Sequence, residues 1–126
     1  MAPDIVWEKS LHIALGLANK EDKLVLAVFF STSCEACMKM VNGTLITERV
    51  QEYIHDHFIS IQYESGIDSD QFMKFCVTAK PAMIVLDHEG NEIFRKIGHF
   101  EPDLFMEKLD KARKKAAHRE AAHRAA

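Results

Sequence analysis

Two cysteines three positions apart, Cys34 and Cys37, enclose Glu35 and Ala36 where an apolar run gives way to a helical pattern. Thiols at this spacing close a small disulfide ring when the first stands at a helix start. That position also offers free backbone N–H groups and the positive end of the helix dipole, which favour a thiolate. The pair therefore has the makings of a thiol–disulfide redox centre. Two plainer readings compete. A structural zinc site needs four ligands, and neither Cys76 nor His55 with His57 supplies a recognised second ligand pair, so no metal is expected. An inert buried pair is the other.

The elements that must hold this pair can be read around it. Leu24 to Phe30 is a short continuous apolar run, as expected of a strand buried on both faces. Ser31-Thr32-Ser33 breaks it, and residues 34 to 41 read as a helix ended or kinked at Asn42-Gly43. Upstream, Trp7, Leu11, Ala14, Leu15 and Ala18 recur at helical spacing, predicting an amphipathic helix over residues 5 to 20. Downstream, Thr47 is placed to cap a helix carrying Val50, Tyr53 and Ile54. A strand follows from Phe58 to Tyr63, then a short helix capped by Asp68 or Ser69 and running through Phe72, Phe75 and Cys76.

Pro81 opens a third strand, Ala82 to Leu86. The turn Asp87-His88-Glu89-Gly90-Asn91 returns the chain as a fourth, Glu92 to Ile97. Gly98 breaks it, and Pro102 starts a last helix with Leu104, Phe105, Leu109 and Ala112 toward the core. The expected fold class is α/β, in the order α-β-α-α-β-α-β-β-α, a central four-stranded mixed sheet flanked by helices. Residues 1–126 read as a single domain with its core over about 5–110. Residues 111–126 read as a solvated, basic continuation of the last helix, suited to the helix C-terminus or to an acidic partner.

Composition narrows the function classes. At 126 residues, 48% hydrophobic and 28% charged, the chain is ordinarily globular, and a net charge of -3 argues against a general nucleic-acid binder. Three cysteines are too few for a disulfide framework, and the odd count with one close pair suggests reactive thiols. No apolar stretch approaches the length of a membrane span, so no membrane insertion is expected. Met1-Ala2-Pro3-Asp4 lacks the features of a signal peptide. A cytoplasmic protein is the literal reading, and an exported one if a leader has been removed.

An apolar strand, CxxC opening a helix, and an isolated proline before a β-hairpin together resemble the thioredoxin superfamily. The closer resemblance is to thioredoxin-like proteins with an N-terminal Trp-bearing helix, here Trp7-Glu8-Lys9-Ser10-Leu11, over roughly residues 5 to 110. The resemblance implies a thioredoxin-like fold with an extended C-terminal helix. It implies that Cys34 attacks a partner disulfide and Cys37 resolves the mixed disulfide. It further implies a cis Lys80-Pro81 bond facing the pair, with Lys80 backbone groups holding a substrate strand. The implied partners are protein disulfide substrates and an electron donor protein, for a monomer needing no cofactor beyond the Cys34–Cys37 couple.

The chain departs from the thioredoxin pattern. Ser33 stands where thioredoxins usually have Trp, Val28 where they have a buried acid, and Ala82 where Thr is frequent. Glu35-Ala36 replaces their Gly-Pro, and these departures leave the two-cysteine chemistry intact. A carboxylate at Glu35 opposes a second negative charge on Cys34, which points to a reductase rather than a strong oxidant. The alternative is a binding module whose fold holds partner chains with weak or no redox activity, and thiolate metal handling is a third. Cys76 reads as a small buried hydrophobe or an additional redox thiol. His99, next to Gly98, is a candidate for minor substrate contact. Met38 is a candidate for an adaptable binding surface.

Overall fold

Six consecutive residues, Val25 to Phe30, are buried, so the strand they form must be covered on both faces. The computed structural model describes residues 4–125 and shows how. Strand β2 (Leu24–Phe30) lies at the centre of a five-stranded sheet. It runs parallel to β3 (Phe58–Glu64) on one side and antiparallel to β4 (Ala82–Leu86) on the other. Strand β5 (Glu92–Ile97) pairs antiparallel with β4, and a two-residue β1 (Trp7–Glu8) pairs parallel with β3 at the opposite edge.

Alternation along β2 sends side chains to two separate cores. Leu26 and Val28, with Met83 and Val85 of β4, face helices α2 (Glu35–Asn42), α3 (Glu48–His57) and α5 (Pro102–Ala125). There they meet Met40, Val50, Ile54, Phe105, Leu109 and Ala112. Val25, Ala27 and Phe29, with Ala82, Ile84 and Leu86, face helix α1 (Leu11–Glu21) and the short α4 (Ser69–Lys74). Small Ala14 and Ala18, both fully buried, let α1 approach the sheet closely. Each buried Leu, Ile, Val or Phe contributes about 1.5–3 kcal/mol of burial, which fixes the sheet that carries the cysteine pair.

Several expectations are corrected. The sheet has five strands rather than four, because the chain around Trp7 is extended and pairs with Ser60 and Ile61. The first helix therefore starts at Leu11 rather than near residue 5. Ser10 ends the extended segment, its hydroxyl accepting the Ile13 N–H as an N-cap. Trp7 is half-buried on a strand, packed against the α2/α3/α5 core. Helix α4 stops at Lys74, leaving Cys76 beyond it with φ 55° and an exposed side chain rather than a buried one. Leu104 is exposed, not core-facing, while Phe105, Leu109 and Ala112 are buried as expected. Thr47 and Asp68 precede their helices without capping them through side chains. Thr47 instead donates to the Gly43 carbonyl, and Asp68 accepts the Glu64 N–H.

Candidate active site

Strand β2 delivers the chain to the top of the sheet, and Ser31 turns it. The buried Ser31 hydroxyl meets that of Ser33 at 3.0 Å and accepts the Ser33 N–H at 3.3 Å, while the Ser31 carbonyl accepts the Cys34 N–H. This compact turn leaves Cys34 extended, at φ −100° and ψ 118°, as the N-cap of α2. Its sulfur takes the place of a capping oxygen and accepts the Cys37 N–H at 3.2 Å. Both cysteines are free thiols, Cys34 half-buried and Cys37 fully buried one turn into the helix.

The two thiols are electrostatically opposite. Hydrogen bonding from Cys37 holds Cys34 below its ordinary value against some desolvation, with help from the Lys80 ammonium and the Ala36 N–H. Burial pushes Cys37 up to about 11, and the hydrogen bond and charge of Cys34 add to it. One sulfur is thus favoured as the thiolate nucleophile, and its neighbour is kept protonated.

Across the site the Lys80–Pro81 bond is cis and Pro81 is buried. The Pro81 carbonyl accepts the Gly98 N–H at 2.7 Å, tying this loop to the end of β5, where Gly98 has φ 109°. The Lys80 carbonyl stands 3.9 Å from the Cys34 sulfur as acceptor of its thiol, and the Lys80 ammonium donates to the Ser65 hydroxyl at 3.5 Å. The structure therefore brings Ser33, Cys34, Cys37, Lys80 and Pro81 together. Glu35 and Ala36 form the first turn of α2. The Glu35 carboxylate is 88% exposed and lies 3.7 Å from Lys39. Met38 is half-buried beside the site, whereas Phe29 and Met83 are core residues.

Two contributors escaped the sequence. One is the Lys80 ammonium, since only the backbone of that residue was expected to act. The other is Thr44, in a 3₁₀ turn (Thr44–Ile46) after Gly43. Its hydroxyl donates to the Phe100 carbonyl at 2.6 Å and lies 3.3 Å from His99 Nε2. A hydroxyl has one proton, so His99 Nε2 must be the donor in the second contact. This link, 55 residues apart in the chain, fixes the loop after β5 against the end of α2, and no local pattern announces it. Cys76 is not part of the site. Its carbonyl and that of Phe75 are held by Arg95, which also pairs with Glu92. Among the described residues no group of His, Cys, Asp or Glu is arranged to hold a metal ion.

A family model described as a thioredoxin-like domain matches residues 11–113. The chain belongs to this thioredoxin-like family. Its solved neighbours share the fold. A DsbH oxidoreductase superposes with a TM-score of 0.72 at 20% identity, covering 90% of this chain and 87% of its own. A protein described as a putative disulphide-isomerase from Bacteroides thetaiotaomicron gives 0.74 at 23% identity, over 89% and 95% of the two chains. The oxidised C-terminal domain of DsbD from Neisseria meningitidis gives 0.67 at 18% identity, over 79% and 90%. No curated protein matches the chain. The mixed sheet, the Cys34–Cys37 pair at the start of α2 and the family match together make this a thioredoxin-superfamily thiol–disulfide oxidoreductase. The subgroup with a Trp-bearing N-terminal helix is not supported, since Trp7 lies on β1. No helix among the described residues is long and apolar enough to cross a membrane.

Proposed function

We propose that this protein reduces protein disulfides, with Cys34 as the attacking thiolate and Cys37 as the resolving thiol. The observation that carries the reading is the Cys34 sulfur at the α2 N-cap, held below its ordinary pKa beside a buried partner pushed to about 11. The Cys34 thiolate attacks one sulfur of the substrate disulfide, the S–S bond breaks, and the electron pair leaves on the substrate's other sulfur. A mixed disulfide joins Cys34 to the substrate, and the negative charge on Cys34 is gone. Burial still raises Cys37, but the contribution from Cys34 vanishes with that charge. Cys37 therefore loses its proton more readily only once the mixed disulfide exists. It then attacks Cys34, closing the Cys34–Cys37 disulfide and releasing the substrate as a dithiol.

Two electrons pass to the substrate, so an electron donor protein must return two to the Cys34–Cys37 couple, and no cofactor is required. The cis Lys80–Pro81 loop, with its Lys80 carbonyl 3.9 Å from the sulfur, suits a backbone contact with the substrate strand. The reducing direction rests on Glu35, a first-turn acid of α2 next to Cys34 in the chain, since a carboxylate there opposes the Cys34 thiolate and so a stable reduced form. Two measurements test the reading. Reduction of insulin disulfides should occur with the parent protein and be lost in Cys34→Ser; an inactive parent overturns it. Equilibration with dithiothreitol buffers should give a potential near about -270 mV, whereas about -120 to -180 mV would make the protein an oxidant or isomerase.

A further inference from the structure

Beside α2 lies an open cleft of about 630 Å³, within the size range of natural ligand clefts. Its walls include Glu35, Met38, Asn42, Thr44, His99 and Glu101. It begins at the residue that follows the attacking cysteine. A partner chain joined to Cys34 by a disulfide would enter the cleft one or two residues beyond the bond, given the reach of an extended backbone. The far wall is fixed, because Thr44 ties His99 and Phe100 to the end of α2.

The chemistry of the walls suits one kind of side chain. Apart from His99, the charged groups are the carboxylates of Glu35 and Glu101, 88% and 82% exposed, against the single ammonium of Lys39. The Lys39–Glu35 contact is 3.7 Å long with both side chains exposed, a pair worth little and easily exchanged. Met38 and Pro102 add apolar surface along which an aliphatic stem can lie. The exposed cation of Lys80, next to Pro81 and bonded to Ser65, acts on Cys34 from outside the cleft walls. The charge around the nucleophile is thus polarised, acidic toward the cleft and basic toward Pro81.

We propose that the cleft seats the segment of a partner protein adjoining its target cysteine, and selects a Lys or Arg side chain there. This rests on the reading that Cys34 attacks protein disulfides. The test uses the full chain carrying Cys37→Ser and Cys76→Ser, so that Cys34 is the one thiol left. The probes are short peptides whose single cysteine is a mixed disulfide with thiopyridine, bearing Arg, Gln or Glu on one or the other side of that cysteine. Cys34 attacks the peptide sulfur, the peptide–thiopyridine S–S bond breaks, and the thiopyridine leaves with the electron pair and is read by absorbance. Dithiodipyridine serves as the small reference disulfide.

At low ionic strength the Arg peptide should react about fivefold faster than the Glu peptide when the residue stands on the cleft side. The ratio should shrink with added salt and fall near one in Glu35→Gln/Glu101→Gln. Equal rates for Arg and Glu peptides, or a ratio untouched by the double substitution, overturn the proposal while leaving the redox reading in place. Failure of Cys34 to react with dithiodipyridine overturns the redox reading and the cleft proposal with it.

Discussion

The Cys37 N–H donates to the Cys34 sulfur across 3.2 Å while the Cys37 side chain is fully buried. One residue thus stabilises its neighbour's negative charge and is barred by burial from carrying its own. Alkylation of the reduced protein by iodoacetamide should therefore follow two separate pH profiles. Cys34 should react at pH values below those of an ordinary thiol. Cys37 should stay unlabelled in the folded protein until the pH nears about 11. Peptide mapping after labelling at pH 7 checks this, and equal labelling of the two cysteines would contradict it.

The same burial has a consequence for stability. The folded protein keeps a proton on Cys37 up to about 11, while the unfolded chain releases it near the ordinary thiol value, about 8.5. Between those values the folded state binds more protons, so stability falls as pH rises. Tyr63, pushed by burial to about 12, extends the loss further. Urea unfolding of the reduced protein should show stability declining from about pH 9 upward. In Cys37→Ser that decline should be shallower, measured on the slope rather than on the absolute value.

Phe29 meets three aromatic rings in the α1/α4 core. It is fully buried, with ring centroids 5.0, 5.1 and 5.8 Å from Tyr63, Phe72 and Phe75. Phe29→Ala should cost about 3–5 kcal/mol through lost transfer and cavity terms, read as a lowered denaturation midpoint. Leu104→Ala, at an exposed position of α5, should change stability by less than about 0.5 kcal/mol.

That contrast shows where the sequence was legible. Continuous apolar runs and turn chemistry placed β2, β4 and β5 because burial on both faces and the Asp87–Asn91 turn are local facts. The Asp87 side chain indeed accepts N–H groups from Glu89 and Asn91. Around Trp7 the helical spacing was real but the outcome was decided by pairing with Ser60 and Ile61, a contact more than fifty residues away that no local period encodes. The cysteine pair and the proline were visible as motifs. The Thr44–His99 link and the Lys80 ammonium were not, since each acts on a group brought near only by the fold.

The environment of Cys76 likewise depends on where its helix ends. Its place after Phe75 suggested a buried helix face, yet α4 ends at Lys74 and Cys76 turns outward with φ 55°. An exposed thiol outside the redox pair should be alkylated without unfolding and should yield disulfide-linked dimers under air oxidation. Cys76→Ser should abolish those dimers on non-reducing gels. A dimer that persisted in Cys76→Ser would place the intermolecular bond on Cys34.

Lys80 offers the sharpest test of how the nucleophile is prepared. Hydrogen bonding from Cys37 is the largest influence holding the Cys34 thiol down, and the Lys80 ammonium adds to it through space. The same cation also lowers Cys37 slightly against the dominant effect of burial. Lys80→Gln removes the charge while keeping a polar, slightly shorter side chain, and the Ser65 contact, already 3.5 Å long, is not needed for the test. The alkylation profile of Cys34 should then move to higher pH, and its rate at pH 7 should fall. Lys80→Arg keeps the charge and should restore the profile. Restoration by Arg and not by Gln assigns the effect to electrostatics; identical profiles for all three would leave the helix N-terminus and the Cys37 N–H as the whole of it.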